Sequence, residues 1–182
     1  MENSDAIDPS SNQDQNSNQL VKGCQHCLQQ CELLLGLVSQ ESYSARSEPT
    51  SSIGAHVRHI LDRFQCFFAG LQSGTINYDA RKRDQSIEAN LEAASFALSS
   101  VSRRIDTLDL SEVLGRTVAV RESVYHESPL AEIPSTFDRE LTGLISHSTH
   151  HLAIIALIAK SLGYALDADF GKAPSTIVYE RH

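Results

Sequence analysis

The chain has 182 residues, 41% of them hydrophobic and 21% charged, with a formal net charge of −8. These values are typical of one globular domain with a substantial core. The negative balance argues against a general binder of nucleic acids or anionic membranes, because such binding depends on clustered Lys and Arg. The one basic run, residues 81–83, is flanked by acidic residues and is interpreted as a solvated loop.

Residues 1–17 are almost all Asn, Gln, Ser and Asp. Such a segment cannot bury enough apolar surface to order itself. We therefore predict a disordered N-terminal tail over 1–17 and one folded domain over 18–182. Residues 1–19 contain no apolar stretch, and the longest apolar run falls short of the roughly 20 residues that span a bilayer, so we expect a cytoplasmic protein.

The first predicted helix covers about 17–39 and carries an apolar stripe with steps of three and four residues. The stripe consists of Leu20, Cys24, Cys27, Cys31, Leu34 and Val38. This spacing is typical of the seam between the helices of a four-helix bundle. Metal-binding thiolates usually come from turns rather than from one apolar seam, so we assign these cysteines to core packing in a reducing compartment.

The second predicted helix covers about 52–72 and has two buried faces. One is a seam of large apolar residues, and the other is small or polar, with Ala55, His59, Asp62, Cys66 and Ala69. A helix lined in this way is buried on both sides, and its second face leaves room for something other than hydrocarbon. Ser51 or Ser52 is the expected N-cap, and Gly74 marks the end.

The third helix is predicted over about 85–108, where an apolar stripe runs without a break. Residues 111–134 then interrupt the helical pattern. Residues 117–121 have the composition of a short strand, and Pro129 and Pro134 suggest a small hairpin or a crossover.

The fourth predicted helix begins at a capping box over 135–138 and ends before Gly163. Residues 169–176 are rich in turn residues and are predicted to be irregular. Together the elements predict an all-α fold, a four-helix bundle with a small irregular or β-like insertion between the third and fourth helices.

Three histidines stand where a helix bundle could hold a metal ion. His147 and His151 lie four residues apart on one face of the fourth helix, and His59 lies on the polar face of the second. Histidines aimed into a core must be satisfied by hydrogen bonds or by a cation. Three neutral imidazoles leave coordination positions open for water or substrate, as in catalytic sites. They suit zinc, nickel, iron or copper alike, so the spacing does not name the metal.

Two carboxylates are candidates for moving a proton or orienting a ligand. Asp62 lies three residues after His59, and Glu140 lies two turns before His147. Either could instead be a partly exposed helix residue. His56 and His150 project away from the metal-binding faces, so we expect a rim or hydrogen-bonding role for them.

The segments 52–62 (SIGAHVRHILD) and 139–151 resemble the DinB-like (DinB/YfiT) superfamily, and the likeness extends over about 18–180. The resemblance implies a four-helix bundle with a crossover connection, often homodimeric. It also implies a divalent metal bound by one histidine of the second helix and an H-x-x-x-H pair of the fourth, here His59, His147 and His151. Some members look like transferases that use low-molecular-weight thiols, and others resemble hydrolases or isomerases.

We therefore expect a homodimeric protein with a divalent ion, zinc, nickel or iron, at these three histidines. It would act on a small molecule as a thiol-dependent transferase or a hydrolase, with Asp62 or Glu140 moving the proton. The expected partners are the substrate and a low-molecular-weight thiol, and neither nucleic acid nor membrane. The alternative is a non-enzymatic stress-response or interaction module whose histidines are only hydrogen-bonded inside the core.

Overall fold

The structure is a computed structural model that describes residues 9–46 and 51–182, with side chains from residue 18 onward except that of Glu112. Within these ranges the chain is mostly helical. Its helices are α1 (Pro9–Leu37), α2 (Gln40–Ser44), α3 (Ile53–Ser73), α4 (Gln85–Ala89), α5 (Leu91–Asp106), α6 (Phe137–Ser161) and α7 (Pro174–Glu180). Its strands are β1 (Thr75–Asn77), β2 (Thr117–Glu122) and β3 (Ala131–Thr136), and a 3-10 turn covers Leu110–Glu112.

Four long helices share one apolar core. Helix α1 packs against α5 and α6, and α3 packs against the same two helices. The apolar stripes predicted from the sequence supply most of the buried side chains, among them Cys24, Leu34, Phe64, Phe67, Leu98 and Ile155. Because α3 and α6 are in direct contact, side chains on their facing surfaces meet inside the molecule.

Helix α3 begins and ends where the sequence predicts. The Ser52 hydroxyl accepts a hydrogen bond from the Ala55 amide at 3.1 Å, which caps the first turn. Gly74 ends the helix in the left-handed region, with φ 72°, and its amide donates to the Gly70 carbonyl. The chain then turns directly into β1, whose Ile76 packs on Gly70. A Cβ at position 70 would lie 2.3 Å from Cγ1 of Ile76, so only glycine allows this approach.

The three strands form one small sheet in the order β1-β2-β3. Strand β1 runs parallel to β2, with Ile76 opposite Val120, and β2 runs antiparallel to β3, with Val120 opposite Ile133. The β-like insertion predicted between the third and fourth helices is therefore present. The all-α prediction missed β1, which has only three residues and follows α3 after a single glycine.

The third predicted helix is two helices, α4 and α5, separated at Asn90. The Asn90 backbone is extended (φ −136°, ψ 123°), and its side chain accepts a hydrogen bond from the Ala93 amide to cap α5. Ile87 and Leu91 keep the apolar spacing across the break, so the sequence pattern hides it.

Other predicted boundaries also moved. Of the tail predicted over 1–17, residues 1–8 lie outside the described residues, and the backbone of 9–17 is the start of α1. Thr136 rather than Ser135 caps α6, and its hydroxyl accepts a hydrogen bond from the Arg139 amide at 3.4 Å. The C-terminal segment, predicted to be irregular, contains the short helix α7.

Helix α6 is the one described helix that is long and apolar enough to cross a membrane by length and composition alone. The central helix of a soluble protein meets the same criterion. Helix α6 packs against α1 and α3 through seven buried residues, but only 28% of its most apolar stretch is buried, so part of its apolar surface stays exposed.

Candidate metal centre

The facing surfaces of α3 and α6 bring three histidine side chains together. One ring nitrogen each of His59, His147 and His151 lies within 4.8 Å of the other two, and the ring centroids are 4.6–4.8 Å apart. We call these three residues the histidine cluster. It is the one group of three or more potential ligands close enough to share an ion within the described part of the chain.

Hydrogen bonds link the cluster and fix a tautomer. Nη1 of Arg81 lies 2.6 Å from Nδ1 of His59, and Nε2 of His59 lies 2.8 Å from Nε2 of His147. A guanidinium group can only donate, so Nδ1 of His59 accepts. In a neutral ring the hydrogen then sits on Nε2 of His59, which donates it to His147.

Two further histidines surround the cluster. Nδ1 of His56 lies 2.9 Å from Nδ1 of His151, so the hydrogen-bonding role expected of His56 is present. The His150 ring meets that of His151 edge-on, with centroids 5.2 Å apart, and is itself exposed to solvent. Both residues therefore support His151 from the side.

Burial keeps the cluster uncharged. It lowers the pKa of His59 to about 3, that of His147 to about 4 and that of His151 to about 3. Neighbouring imidazoles and the charge of Arg63 lower all three pKa values further, and the charge of Arg81 also lowers the pKa of His59 and that of His147. Neutral imidazoles keep a lone pair available, and metal ligands must be in this state.

The cluster fits a divalent ion. Imidazole nitrogens bound to one tetrahedral ion at about 2.0–2.1 Å lie roughly 3.4 Å from one another. The nitrogens of the cluster are separated by distances that bracket this value, from 2.8 Å to 4.8 Å. Three imidazoles could therefore bind a metal here after small side-chain movements, with Nε2 of His59 giving up its hydrogen.

The two carboxylates named in the sequence analysis are engaged outside the cluster. Asp62 is buried and accepts a hydrogen bond from Nη1 of Arg58 at 3.0 Å. Glu140 accepts hydrogen bonds from Tyr78 at 2.8 Å and from Ser135 at 2.6 Å. Among the described residues neither carboxylate is hydrogen-bonded to a histidine of the cluster, so neither orients an imidazole ring directly.

Two arginines beside the cluster were not found from the sequence. Arg63 lies one turn after His59 on α3, a spacing that could have pointed to it. Arg81 was interpreted as part of a solvated loop, but it contacts His59. It reaches this position because β1 pairs with β2, and no sequence pattern predicted that pairing.

Comparison with known proteins gives one clear structural relative. The crystal structure of a DinB-like protein, YjoA from Bacillus subtilis, matches with a TM-score of 0.60 and 19% sequence identity, covering 81% of this chain and 94% of that one. FK506-binding protein 5 of Rhizopus delemar is 32% identical over 107 residues, which are 56% of this chain. The chain spans only 26% of the length of that relative. No family model matches the chain. With three histidines gathered between α3 and α6, the chain has the fold of a DinB-like protein, as the sequence resemblance predicted.

Proposed function

We propose that the chain, as a member of the DinB-like superfamily, binds one divalent metal ion through His59, His147 and His151. The observation that carries the proposal is the convergence of three neutral imidazoles from two packed helices within 4.8 Å. Three protein ligands leave positions free for water or substrate, which is the arrangement of catalytic rather than structural sites. The histidines are half-buried rather than fully enclosed.

A divalent ion held there would supply a Lewis acid for a carbonyl group or lower the pKa of a bound water or thiol. Of the two carboxylates, Asp62 is the better candidate for proton transfer. Burial raises the pKa of Asp62, and the charges of Arg58 and Arg81 only partly oppose this effect. Tyr78 and Ser135 donate to both oxygens of Glu140, so that carboxylate is held as a fixed acceptor.

The reaction classes that suit this site are thiol-dependent transfer and hydrolysis of a small molecule. Both need an activated nucleophile and an exchangeable position at the ion. Zinc, nickel and iron all suit three imidazoles. We further propose a four-helix bundle with a crossover connection that forms a homodimer in the cytoplasm.

The test is the metal content of the untagged protein and of three single variants, His59→Ala, His147→Ala and His151→Ala. We expect about one equivalent in the wild type and a loss of at least tenfold in each variant, with unchanged helical circular dichroism. His126→Ala removes an exposed histidine of the β2–β3 turn and should retain the metal. Stoichiometric metal in all three cluster variants would contradict the proposal.

A second candidate function is a non-enzymatic interaction module. It is favoured by the hydrogen bonds that join His59 to His147 and His56 to His151, because they satisfy the rings without an ion. This candidate requires that the purified protein contains no metal and that a chelator leaves its melting temperature unchanged.

A further inference from the structure

Two buried side-chain donors in the described part of the chain lack a hydrogen-bond partner, Nε of Arg63 and Nε of Arg81. An unsatisfied buried donor is costly, and more so when it belongs to a charged group. Both orphaned donors belong to guanidinium groups, and both groups adjoin the histidine cluster. Because both guanidinium charges act on the same two histidines, His59 and His147, the two donors indicate a missing partner that carries acceptor oxygens.

Arg63 is held rigidly beside the cluster. Its guanidinium carbon lies 3.5 Å from the centroid of the Tyr78 ring, and Nη1 pairs with Glu122. The side chain is only 13% exposed. Its charge acts on all three histidines of the cluster. The ion pair and the ring fix the guanidinium and leave Nε without an acceptor.

Arg81 carries a charge that no carboxylate neutralises by direct contact. Among the residues whose side chains the structure describes, it has no ion pair within 4.0 Å, and its one hydrogen bond goes to Nδ1 of His59. The loop that carries it is fixed by β1 and by the Asn77 side chain, which accepts hydrogen bonds from the Asp79 and Ala80 amides. The guanidinium is therefore held beside the imidazoles rather than released to solvent.

The hydrogen bond from Arg81 and metal ligation through Nε2 of His59 exclude one another. A neutral His59 that offers the Nε2 lone pair carries its hydrogen on Nδ1, and Nδ1–H cannot accept from a guanidinium group. Arg81 must then leave Nδ1 and loses its one hydrogen bond. A cavity of about 170 Å³, lined by Arg81, Asp62 and Cys66 among others, gives the side chain room to move.

We infer that Arg63 and Arg81 form an anion subsite beside the histidine cluster, which holds a carboxylate or phosphate group of the substrate. Guanidinium groups recognise both anions through paired, charge-assisted hydrogen bonds. The inference rests on the proposed function, because it names the substrate class of that same centre. It also predicts that ligation by His59 frees Arg81 for the anion.

The test follows the Nε–H resonances of both arginines by NMR in the ¹⁵N-labelled full chain, metal-free and zinc-loaded. Acetate represents a carboxylate and methylphosphonate represents a phosphate. The anion that binds more tightly identifies the substrate group that the subsite holds. We expect both resonances to shift along one titration curve. Affinity should fall at least tenfold in Arg81→Gln and in Arg63→Lys, since lysine keeps the charge next to Glu122 but lacks the Nε–H donor. Lys82→Gln, which removes a neighbouring exposed charge, should change affinity less than twofold.

Resonances that do not move, or an equal loss of affinity in Lys82→Gln, would overturn the inference. A zinc titration of the same samples tests the histidine centre separately. Failure to bind zinc would overturn the proposed function. The anion titration of the metal-free protein would still decide the subsite, because Nε of both arginines lacks a partner there too. Arg81→Gln should bind zinc at least threefold more tightly than the wild type, because the competing hydrogen bond is gone. Equal or weaker zinc binding would refute the coupling between Arg81 and His59.

Discussion

The imidazole of each histidine in the cluster stays neutral for two reasons. Packing between α3 and α6 partly removes it from water, and other imidazoles and guanidinium groups nearby disfavour a positive charge on it. A fourth ring, His56, adds a hydrogen bond to His151 without joining the three. The network leaves no carboxylate in contact with the rings among the described residues. The proposed site thus combines imidazole lone pairs, which suit a metal ion, with the guanidinium groups of Arg63 and Arg81, which suit an anionic substrate.

The depressed pKa values of the cluster predict how stability depends on pH. In the unfolded chain these histidines titrate near 6.5, whereas in the folded protein the pKa of His59 and that of His151 are about 3 and that of His147 is about 4. The unfolded state therefore takes up protons first as the pH falls. The contribution of these histidines to the free energy of unfolding is fully present above pH 6.5 and is lost as the pH falls toward 3.

Urea unfolding of metal-free protein between pH 4.5 and 7.5 measures this effect. Below pH 6, we expect the wild type to take up about one more proton on unfolding than the double variant His59→Gln/His147→Gln. Two histidines are removed, but the rings are only half-buried, so we reduce the expected difference from two protons to about one. The comparison with the double variant removes the contribution of the carboxylates. Parallel pH curves for the two proteins would contradict the assignment.

At the level of single residues, the three histidines could be predicted because helical spacing alone places them. His147 and His151 share a face whatever the rest of the fold does, and His59 lies on the only polar face of a buried helix. Arg81 could not be predicted, because its position depends on a parallel strand pairing between segments more than 40 residues apart. Local patterns contain no information about such a pairing.

At the level of elements, the close packing of β1 on α3 decides where the Arg81 loop begins. Gly70→Ala should destabilise the protein by about 1–3 kcal/mol, because the new Cβ would overlap Ile76 and overpacking costs this much. Gly143→Ala in α6 is the matched control. A Cβ at position 143 meets only Nη1 of Arg139, at 3.7 Å, so the substitution should stabilise the helix by up to about 1 kcal/mol.

Denaturant unfolding of both variants tests this packing. The two substitutions are chemically identical, but Gly70→Ala should lower the free energy of unfolding and Gly143→Ala should raise it. A stabilised Gly70→Ala would show that β1 does not need this close approach. The same variant should also weaken the contact between Arg81 and His59, visible as a shift of the Arg81 Nε–H resonance.

The long helices could be predicted from the sequence, and the short elements could not. The apolar stripes of α1 and α3 extend over many turns, so their period is clear, and α6 is marked by its capping box and by Gly163. The break between α4 and α5 at Asn90 does not interrupt the apolar spacing. Asn90 caps α5, but asparagine also occurs inside helices, so the residue alone does not reveal the break. Strand β1 is too short to show alternation.

At the level of the whole molecule, an ion bound to the histidine cluster would join α3 to α6 and raise global stability. At free metal a hundredfold above Kd the gain is about 2.7 kcal/mol. For a chain of this length that corresponds to a rise in melting temperature of roughly 5–10 °C. A chelator should remove the rise in the wild type and have no effect on His59→Ala. Identical melting curves with and without chelator would favour the interaction module.

The buried cysteines have a consequence for how the protein should be handled. Burial raises the pKa of Cys24 to about 12, that of Cys27 to about 11 and that of Cys31 to about 12, so the native thiols stay protonated and are poor ligands. In the denatured chain the same thiols titrate at ordinary values and compete for zinc through sulfur. Renaturation in the presence of zinc would therefore trap thiolate-bound chains, and the ion should be added only once refolding is complete.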